Sequence, residues 1–400
     1  MYQNIAVAVD NSEQARCSEN LAVMIARHCT ANLTGCHVYS GKFHRMRFQA
    51  LEEYLPPQYQ KEDILAYQRS IHSVLIERGL EIISSEYMKR LRDLCREQEV
   101  PFREMVIDGK RSDVLCDITG GQDLIVLGSQ GIGRIAGVEG LGSTAERVLS
   151  CSSCDVLLVR NDAEPRNILV GIDGSEFSFS ALRRALEIGK MFDAAVTLLA
   201  AHNPRLHRSV FDLLSGVLSR EAGEVFRFNE QEQLHNMIID RSLEDLYQQQ
   251  LDRGVALAEP YGISPRTQLG EGTPWYALCT ELQNEPYDLV VVGRYGMHRG
   301  RCDQIGSNSS RVAHRAPVNV LVVGGYDVPK PSETMMISAA APADDIPALV
   351  WTDAAKKRLE RIPSFARPMA MLGIERYARE NGLGTITPEI MAAAREKLGL

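Results

Sequence analysis

Ile5-Ala-Val-Ala-Val-Asp10 recurs 163 positions later as Ile168-Leu-Val-Gly-Ile-Asp173. Three further blocks recur in the same order. Ile71-His-Ser-Val-Leu-Ile-Glu-Arg-Gly-Leu-Glu81 returns as Leu234-His-Asn-Met-Ile-Ile-Asp-Arg-Ser-Leu-Glu244. Asp123-Leu-Ile-Val-Leu-Gly128 returns as Asp288-Leu-Val-Val-Val-Gly293, and Gly142-Ser143 as Gly306-Ser307. Near-constant offsets across four blocks mark a duplicated domain of roughly 160 residues.

Within each copy, short Val/Ile/Leu runs alternate with stretches of helical spacing. In the first copy the strand candidates are Ile5–Val9, Leu33–Tyr39, Phe102–Ile107, Leu124–Leu127 and Val156–Val159. Helices are expected over Glu13–Cys29 and roughly Lys61–Glu97. The runs are continuous rather than alternating, the pattern of a parallel sheet covered on both faces. The expected fold is α/β, with one doubly wound five-stranded parallel sheet per copy and ligands at the carboxyl ends of the strands. The expected domains are 1–161 and 165–325, a Pro/Ala-rich linker over 326–349, and a small all-α domain over 350–400. In that last segment Thr387-Pro388-Glu389 reads as an N-cap followed by proline at the first helical position. Gly382 and Gly399 read as helix stops.

Composition narrows the function. A net charge of -8 argues against a general nucleic-acid binder, which would carry a basic stripe. No apolar run approaches the ~20 residues that span a bilayer. The chain opens directly on a strand with no basic flank or apolar signal core, so a cytoplasmic location is expected. Nine scattered cysteines suit reduced thiols better than a disulfide framework. Cys151-Ser-Ser-Cys154 reads as a turn before a buried strand rather than a redox or metal pair.

The chemistry is concentrated in glycine-rich loops after the fourth strand of each copy. Copy two reads Gly293-Arg-Tyr-Gly296, nine residues, then Gly306-Ser307; copy one reads Gly128-Ser-Gln-Gly131, ten residues, then Gly142-Ser143. Glycines let backbone N–H groups approach phosphates, and Gly-Ser opens a helix whose bare amides and dipole favour an anion. Asp10 and Asp173, each ending a first strand, stand where a ribose or magnesium ion could be met. The simpler alternative is a glycine turn with Ser143 and Glu146 as a capping box. The spacing fits neither GxxxxGK[ST] nor GxGxxG. His72 and His235 recur at equivalent places and read as helix-packing residues, and no catalytic triad is visible.

These loops, the strand ending in Asp and the Val170-Gly-Ile-Asp-Gly-Ser-Glu176 opening resemble the universal stress protein family over about residues 2–325. The resemblance implies two Rossmann-like sandwiches and, in the ATP-binding branch, bound ATP with magnesium arriving on the nucleotide. It carries nucleotide contacts onto Asp173, Ala201, Gly293, Arg294, Gly296, Gly306, Ser307 and Asn308. In the first copy it carries them onto Asp10, Val38, Gly128, Ser129, Gly131, Gly142, Ser143 and Thr144. It also implies pairing through the last strands, Val156–Val159 against Val318–Val323, which one tandem chain can satisfy within itself; a homo-oligomer is the other route. A regulatory stress protein rather than an enzyme is expected, with a nucleotide-free dimerisation scaffold as the rival.

The second copy is expected to bind more tightly. Its loop carries Arg294, Arg299 and Arg301 against Asp303, whereas the first has Arg134 against Glu139 and one extra residue. Residues 350–400, through motifs between Trp351 and Glu389, resemble the small C-terminal domain of the light-independent protochlorophyllide reductase B subunit. That tail carries nine Lys/Arg against six Asp/Glu and no cysteine, so a docking role on a protein partner is expected, without the reductase's chemistry. A redox- or tetrapyrrole-linked accessory protein is therefore a further alternative.

Overall fold

The computed structural model of the chain describes residues 1–133, 140–203, 228–297, 305–324 and 349–359, with scattered positions at 213, 217 and within 371–398. The chain divides into two compact units, Met1–Asn203 with Ser242–Val328 and Pro204–Arg241 with Pro329–Leu400. The expected linker lies almost wholly outside the described residues, as do the expected helix stops Gly382 and Gly399.

In the first unit, copy one contributes strands β1 (Asn4–Ala8), β2 (Asn32–Tyr39), β3 (Phe102–Asp108), β4 (Leu124–Gly128) and β5 (Asp155–Val159). Helices α1 (Glu13–Cys29), α2 (Gly41–Ala50), α3 (Glu62–Glu97), α4 (Arg111–Ile118) and α5 (Ser143–Cys151) connect them. Copy two contributes β6 (Asn167–Ile172), α6 (Glu176–Phe192), β7 (Ala195–His202), α7 (Phe228–Ala258, in this unit from Ser242 onward), β8 (Arg266–Glu271), α8 (Pro274–Asn284), β9 (Leu289–Gly293), α9 (Ser307–Arg315) and β10 (Asn319–Val323). The two five-stranded sheets are one continuous ten-stranded sheet in the order β3-β2-β1-β4-β5-β10-β9-β6-β7-β8. All pairings inside a copy are parallel; the join between β5 and β10 is antiparallel, Val320 opposite Leu158 and Val322 opposite Val156.

Local sequence explains the elements. Ser12 and Ser175 accept hydrogen bonds from the amides of Ala15 and Ser178, closing the starts of α1 and α6. Thr30 and Asp193 end those helices in the left-handed conformation, at φ 54° and 51°. Alternate strand residues feed two cores. Ile5, Val7 and Val126 pack toward α1, α3 and α6, while Ala6, Ile125, Val156 and Leu158 pack toward α4, α5, α8 and α9. This is the two-faced covering that the continuous apolar runs require.

At the join, Val156, Leu157, Leu158, Val320, Leu321 and Val322 are buried. Each contributes about 1.5–3 kcal/mol, against roughly 1 kcal/mol net per strand hydrogen bond, so apolar burial dominates the seam. Polar clamps then fix its register. Asp155, fully buried, accepts from the Gly324 amide (2.8 Å), the Tyr2 hydroxyl (2.9 Å) and Arg184 Nε (3.1 Å). Its counterpart Asn319 accepts from the Arg160 amide at 2.8 Å. Burial pushes the Asp155 carboxyl above its ordinary range, and Arg184 pulls it back.

The cysteines depart from the expectation of reduced thiols at two positions. Cys116 and Cys151 form a disulfide, Cα atoms 5.9 Å apart, because α4 and α5 pack side by side. Cys154 is a buried thiol beside Ser152, pushed up to about 11 by burial, so Cys151-Ser-Ser-Cys154 is not itself a redox pair.

In the second unit, β11 (Val350–Trp351) pairs parallel with β12 (Thr385–Ile386), an addition to the helical tail expected from sequence. Helices α10 (Asp353–Leu359) and α11 (Pro388–Leu398) flank it. Ala355, Ile374, Ala378, Ile386, Met391 and Ala394 form its core. The Ile390 amide donates to the Thr387 hydroxyl at 3.4 Å, the N-cap geometry that Thr-Pro-Glu implies.

Asp155→Ala is expected to destabilise the chain by about 2–4 kcal/mol, because it removes the buried acceptor shared by the Gly324 amide, the Tyr2 hydroxyl and Arg184 Nε, although Arg184 keeps Glu187. Asp155→Asn should cost less. Urea unfolding midpoints of the two variants check the order.

Candidate functional site

Each copy ends its first and fourth strands beside one another at the switch of strand order, and a cavity opens there. The first encloses about 370 Å³ and the second about 290 Å³.

The glycine loops are built by close approach. A Cβ on Gly131 would stand 2.6 Å from Asp10 Oδ2, and one on Gly296 2.8 Å from Asp173 Oδ2. Each aspartate stitches its strand end to its loop. Asp10 accepts from the Ser12 and Ile132 amides at 3.0 and 3.4 Å; Asp173 accepts from the Ser175 and Met297 amides at 2.9 and 3.1 Å. The Gly-Ser helix starts are tied to the same loops. The Gly142 amide donates to Ser129 O at 2.8 Å, and the Gly306 amide to Arg294 O at 2.9 Å. Gly142 and Gly306 are the N-caps, with no side-chain cap bond, so the capping-box alternative does not form. The first amides of α5 and α9 therefore open toward the cavities, as an anion requires.

All eight residues expected in the first copy line its cavity: Asp10, Val38, Gly128, Ser129, Gly131, Gly142, Ser143 and Thr144. In the second, Asp173, Ala201, Gly293, Gly296, Gly306, Ser307 and Asn308 line the cavity. Arg294 does not. Its side chain is 3 % exposed and donates from Nη1 to Leu149 O at 3.0 Å, capping the carboxyl end of α5. Burial lowers its guanidinium from the ordinary value. This removes Arg294 from the charge argument for a tighter second site; Arg134, Glu139, Arg299, Arg301 and Asp303 lie outside the described residues. The extra loop residue of copy one does not displace the Gly-Ser start either, since both starts hang from the equivalent carbonyl.

The sequence pattern of the "Universal stress protein family" matches residues 1–160 and again 164–324. The chain belongs to the universal stress protein family. A universal stress protein from Archaeoglobus fulgidus shares the fold, with a TM-score of 0.51 at 15% identity over 80% of this chain and 98% of that one. Residues 351–395 match "Proto-chlorophyllide reductase 57 kD subunit". The light-independent protochlorophyllide reductase B subunit of Synechococcus sp. (strain JA-3-3Ab) is 40% identical over 78 residues, 20% of this chain and 14% of that protein. Its counterpart from Chloroflexus aggregans is 28% identical over 136 residues, 31% and 24% respectively. The chain thus spans less than a quarter of the length of these relatives.

Several residues of this stress protein's cavities escaped the sequence reading. Arg111, the first residue of α4, lines the first cavity; the repeat places Pro274 there in copy two. Its position after the carboxyl end of β3 was the available signal. Gln14 Oε1 accepts from the Gln130 amide (2.6 Å) and the Ser129 hydroxyl (3.0 Å), bracing the first loop from α1. Phe177 holds that place in copy two and packs edge-on against Tyr295. His72 stacks between His44 and Phe48, a helix-packing role; the His235 side chain lies outside the described residues. Cys36 lines the first cavity, but burial pushes its thiol up to about 12, which makes it a poor nucleophile. No group of three or more His, Cys, Asp or Glu side chains that could hold a metal ion occurs among the described residues.

Gly131→Ala is expected to destabilise the chain by about 1–3 kcal/mol through its clash with Asp10. Adding Asp10→Ala should recover most of that loss in a double-mutant cycle read by thermal unfolding. Additive effects would show that the Asp10 contact does not demand the glycine.

His37, next to Val38 on β2, is buried and donates to Val9 O at 2.7 Å. Burial lowers its pKa. The unfolded chain therefore binds the proton first as pH falls, and stability is lost below the ordinary histidine range. Denaturant unfolding at about pH 7 and about pH 5 should show a smaller acid loss in His37→Gln than in the unaltered chain.

Proposed function

We propose that this stress protein is a regulatory module that binds adenine nucleotide, ATP, in both cavities. The observation that carries the reading is the paired cradle: a strand-end aspartate, a glycine loop that admits no Cβ, and an uncapped helix start. Polyphosphate would meet the amides of Ser143, Thr144 and their counterparts Ser307 and Asn308. The ribose hydroxyls would meet Asp10 or Asp173. The adenine would lie against the apolar wall of Val38, Leu115 and Leu127 in one cavity, and Ala201, Leu199 and Leu278 in the other. Magnesium would be held chiefly by the nucleotide phosphates.

The chemistry supports binding rather than turnover. Asp10 is the carboxylate lining the first cavity among the described residues, and it is already engaged by two loop amides. A general base needs a group placed to take a proton from water. No helix among the described residues is long and apolar enough to cross a membrane, and a cytoplasmic setting fits the proposed ligand.

A second role belongs to the tail. Its match to residues of the protochlorophyllide reductase subunit favours a docking module for a protein partner, separate from the nucleotide sites.

Mass spectrometry of small molecules released from the purified, denatured chain should find adenine nucleotide. With nucleotide added back, calorimetry should show two sites. Asp10→Ala and Asp173→Ala should each weaken one site by at least about tenfold, roughly 1.4 kcal/mol. Deleting residues 350–400 should leave both affinities within a few-fold. A chain that neither carries nor binds adenine nucleotide is the scaffold instead.

A further inference from the structure

The first repeat carries a device that the second lacks. Cys116 belongs to α4, and Cys151 is the last residue of α5. Their disulfide spans 35 residues of sequence. Cys151 is exposed and Cys116 half-buried, so the bridge is open to small solutes. The same two helices wall the first cavity: α4 supplies Arg111 and Leu115, and α5 supplies Ser143, Thr144 and Ala145. Leu115 immediately precedes Cys116.

The second repeat provides an internal comparison. At the repeat offsets of 163 and 164, Cys279 replaces Cys116 and Arg315 replaces Cys151. Helices α8 and α9 still pack together, but no bridge can form between them. Cys279 is buried and its thiol is pushed up by that burial. Cys36 and Cys95 are also buried, with thiols pushed up to about 12. Such thiols react slowly, because the thiolate is the nucleophile.

We propose that Cys116–Cys151 is a reversible thiol–disulfide site that sets the nucleotide affinity of the first cavity, the bridged form binding more tightly. This rests on the nucleotide reading given above. The link is mechanical. The opening amides of α5 face the cavity, and its far end is held by the bridge to α4 and by the Arg294 hydrogen bond to Leu149 O. Cutting the bridge leaves that nine-residue helix held by Arg294 and the packing of Ala145, Val148 and Leu149. Small pivots at its far end then change the direction of the opening amides, and N–H···O bonds weaken steeply with angle.

The exchange balances with small thiols as reductant. A small thiolate attacks the sulfur of Cys151, the more exposed residue of the pair, the S–S bond breaks, and Cys116 leaves as a thiolate that takes a proton. A second small thiolate attacks the mixed disulfide, releasing Cys151 thiolate and a small disulfide. Two electrons pass from the small thiols to the protein. The reverse reaction uses the small disulfide as oxidant.

The test uses the full chain with magnesium and ATP. Calorimetry is run on protein oxidised with glutathione disulfide and on protein reduced with dithiothreitol, with thiols counted by alkylation and mass measurement. Reduction should release two further thiols at Cys116 and Cys151. It should weaken the first site at least about fivefold and leave the second unchanged. Asp173→Ala, which weakens the second site, assigns the change to the first. Cys116→Ser and Cys151→Ser should bind like reduced protein in both conditions, and reduced unaltered chain gives the same comparison should either variant fold poorly. Equal affinity in both states with a reducible bridge overturns this proposal alone. Thiols that stay free under oxidant overturn it as well. Absence of binding in both states overturns the nucleotide reading and this proposal with it.

Discussion

The antiparallel pairing of β5 with β10 is the contact on which the rest of the first unit depends. Without it both strands would be exposed sheet edges, long rows of unpaired backbone groups flanked by valine and leucine. Joined, they become the centre of a ten-stranded sheet. The polar residues that begin the two strands, Asp155 and Asn319, each receive an amide from just beyond the end of the other strand. A slip in register would strand these buried polar groups, so the clamps select one alignment as well as adding stability.

The same seam dictates where two arginines go. Arg160 follows β5 and donates to Ala313 O in the last turn of α9 and to Val318 O just before β10. Arg294 follows β9 and donates to Leu149 O at the carboxyl end of α5. Each repeat thus supplies a cation to the negative end of the other repeat's cavity-facing helix. The helices that present bare amides to the cavities are positioned from behind by the opposite copy. An arginine inside a glycine loop looks like a phosphate ligand in sequence, and here it is committed to the seam.

The two cavities share a cradle and differ in their walls. Asp10 with Gly131, and Asp173 with Gly296, are held by one steric relation that tolerates no added methyl group. Around it, Gln14 has become Phe177, Arg111 has become Pro274, and the Cys116–Cys151 bridge has become Cys279 beside Arg315. Backbone geometry at the cradle is constrained in both copies, whereas side chains on the flanking helices have been free to change chemistry.

Sequence alone determined the duplication, the strand and helix order, and the glycine and aspartate positions. Those are local or periodic facts: a parallel strand covered on both faces must be continuously apolar, and a loop against a carboxylate must lack a Cβ. It also marked Val156–Val159 and Val318–Val323 as partners, through family resemblance. Tertiary structure decided the rest. It turned Arg294 inward, held the Gly142 amide on the Ser129 carbonyl, and brought Cys116 to Cys151 across 35 residues. None of these has a signature in spacing, because each depends on where one helix lies against another. That arrangement is set by the packing of the whole sheet, not by the residues next to it in the chain.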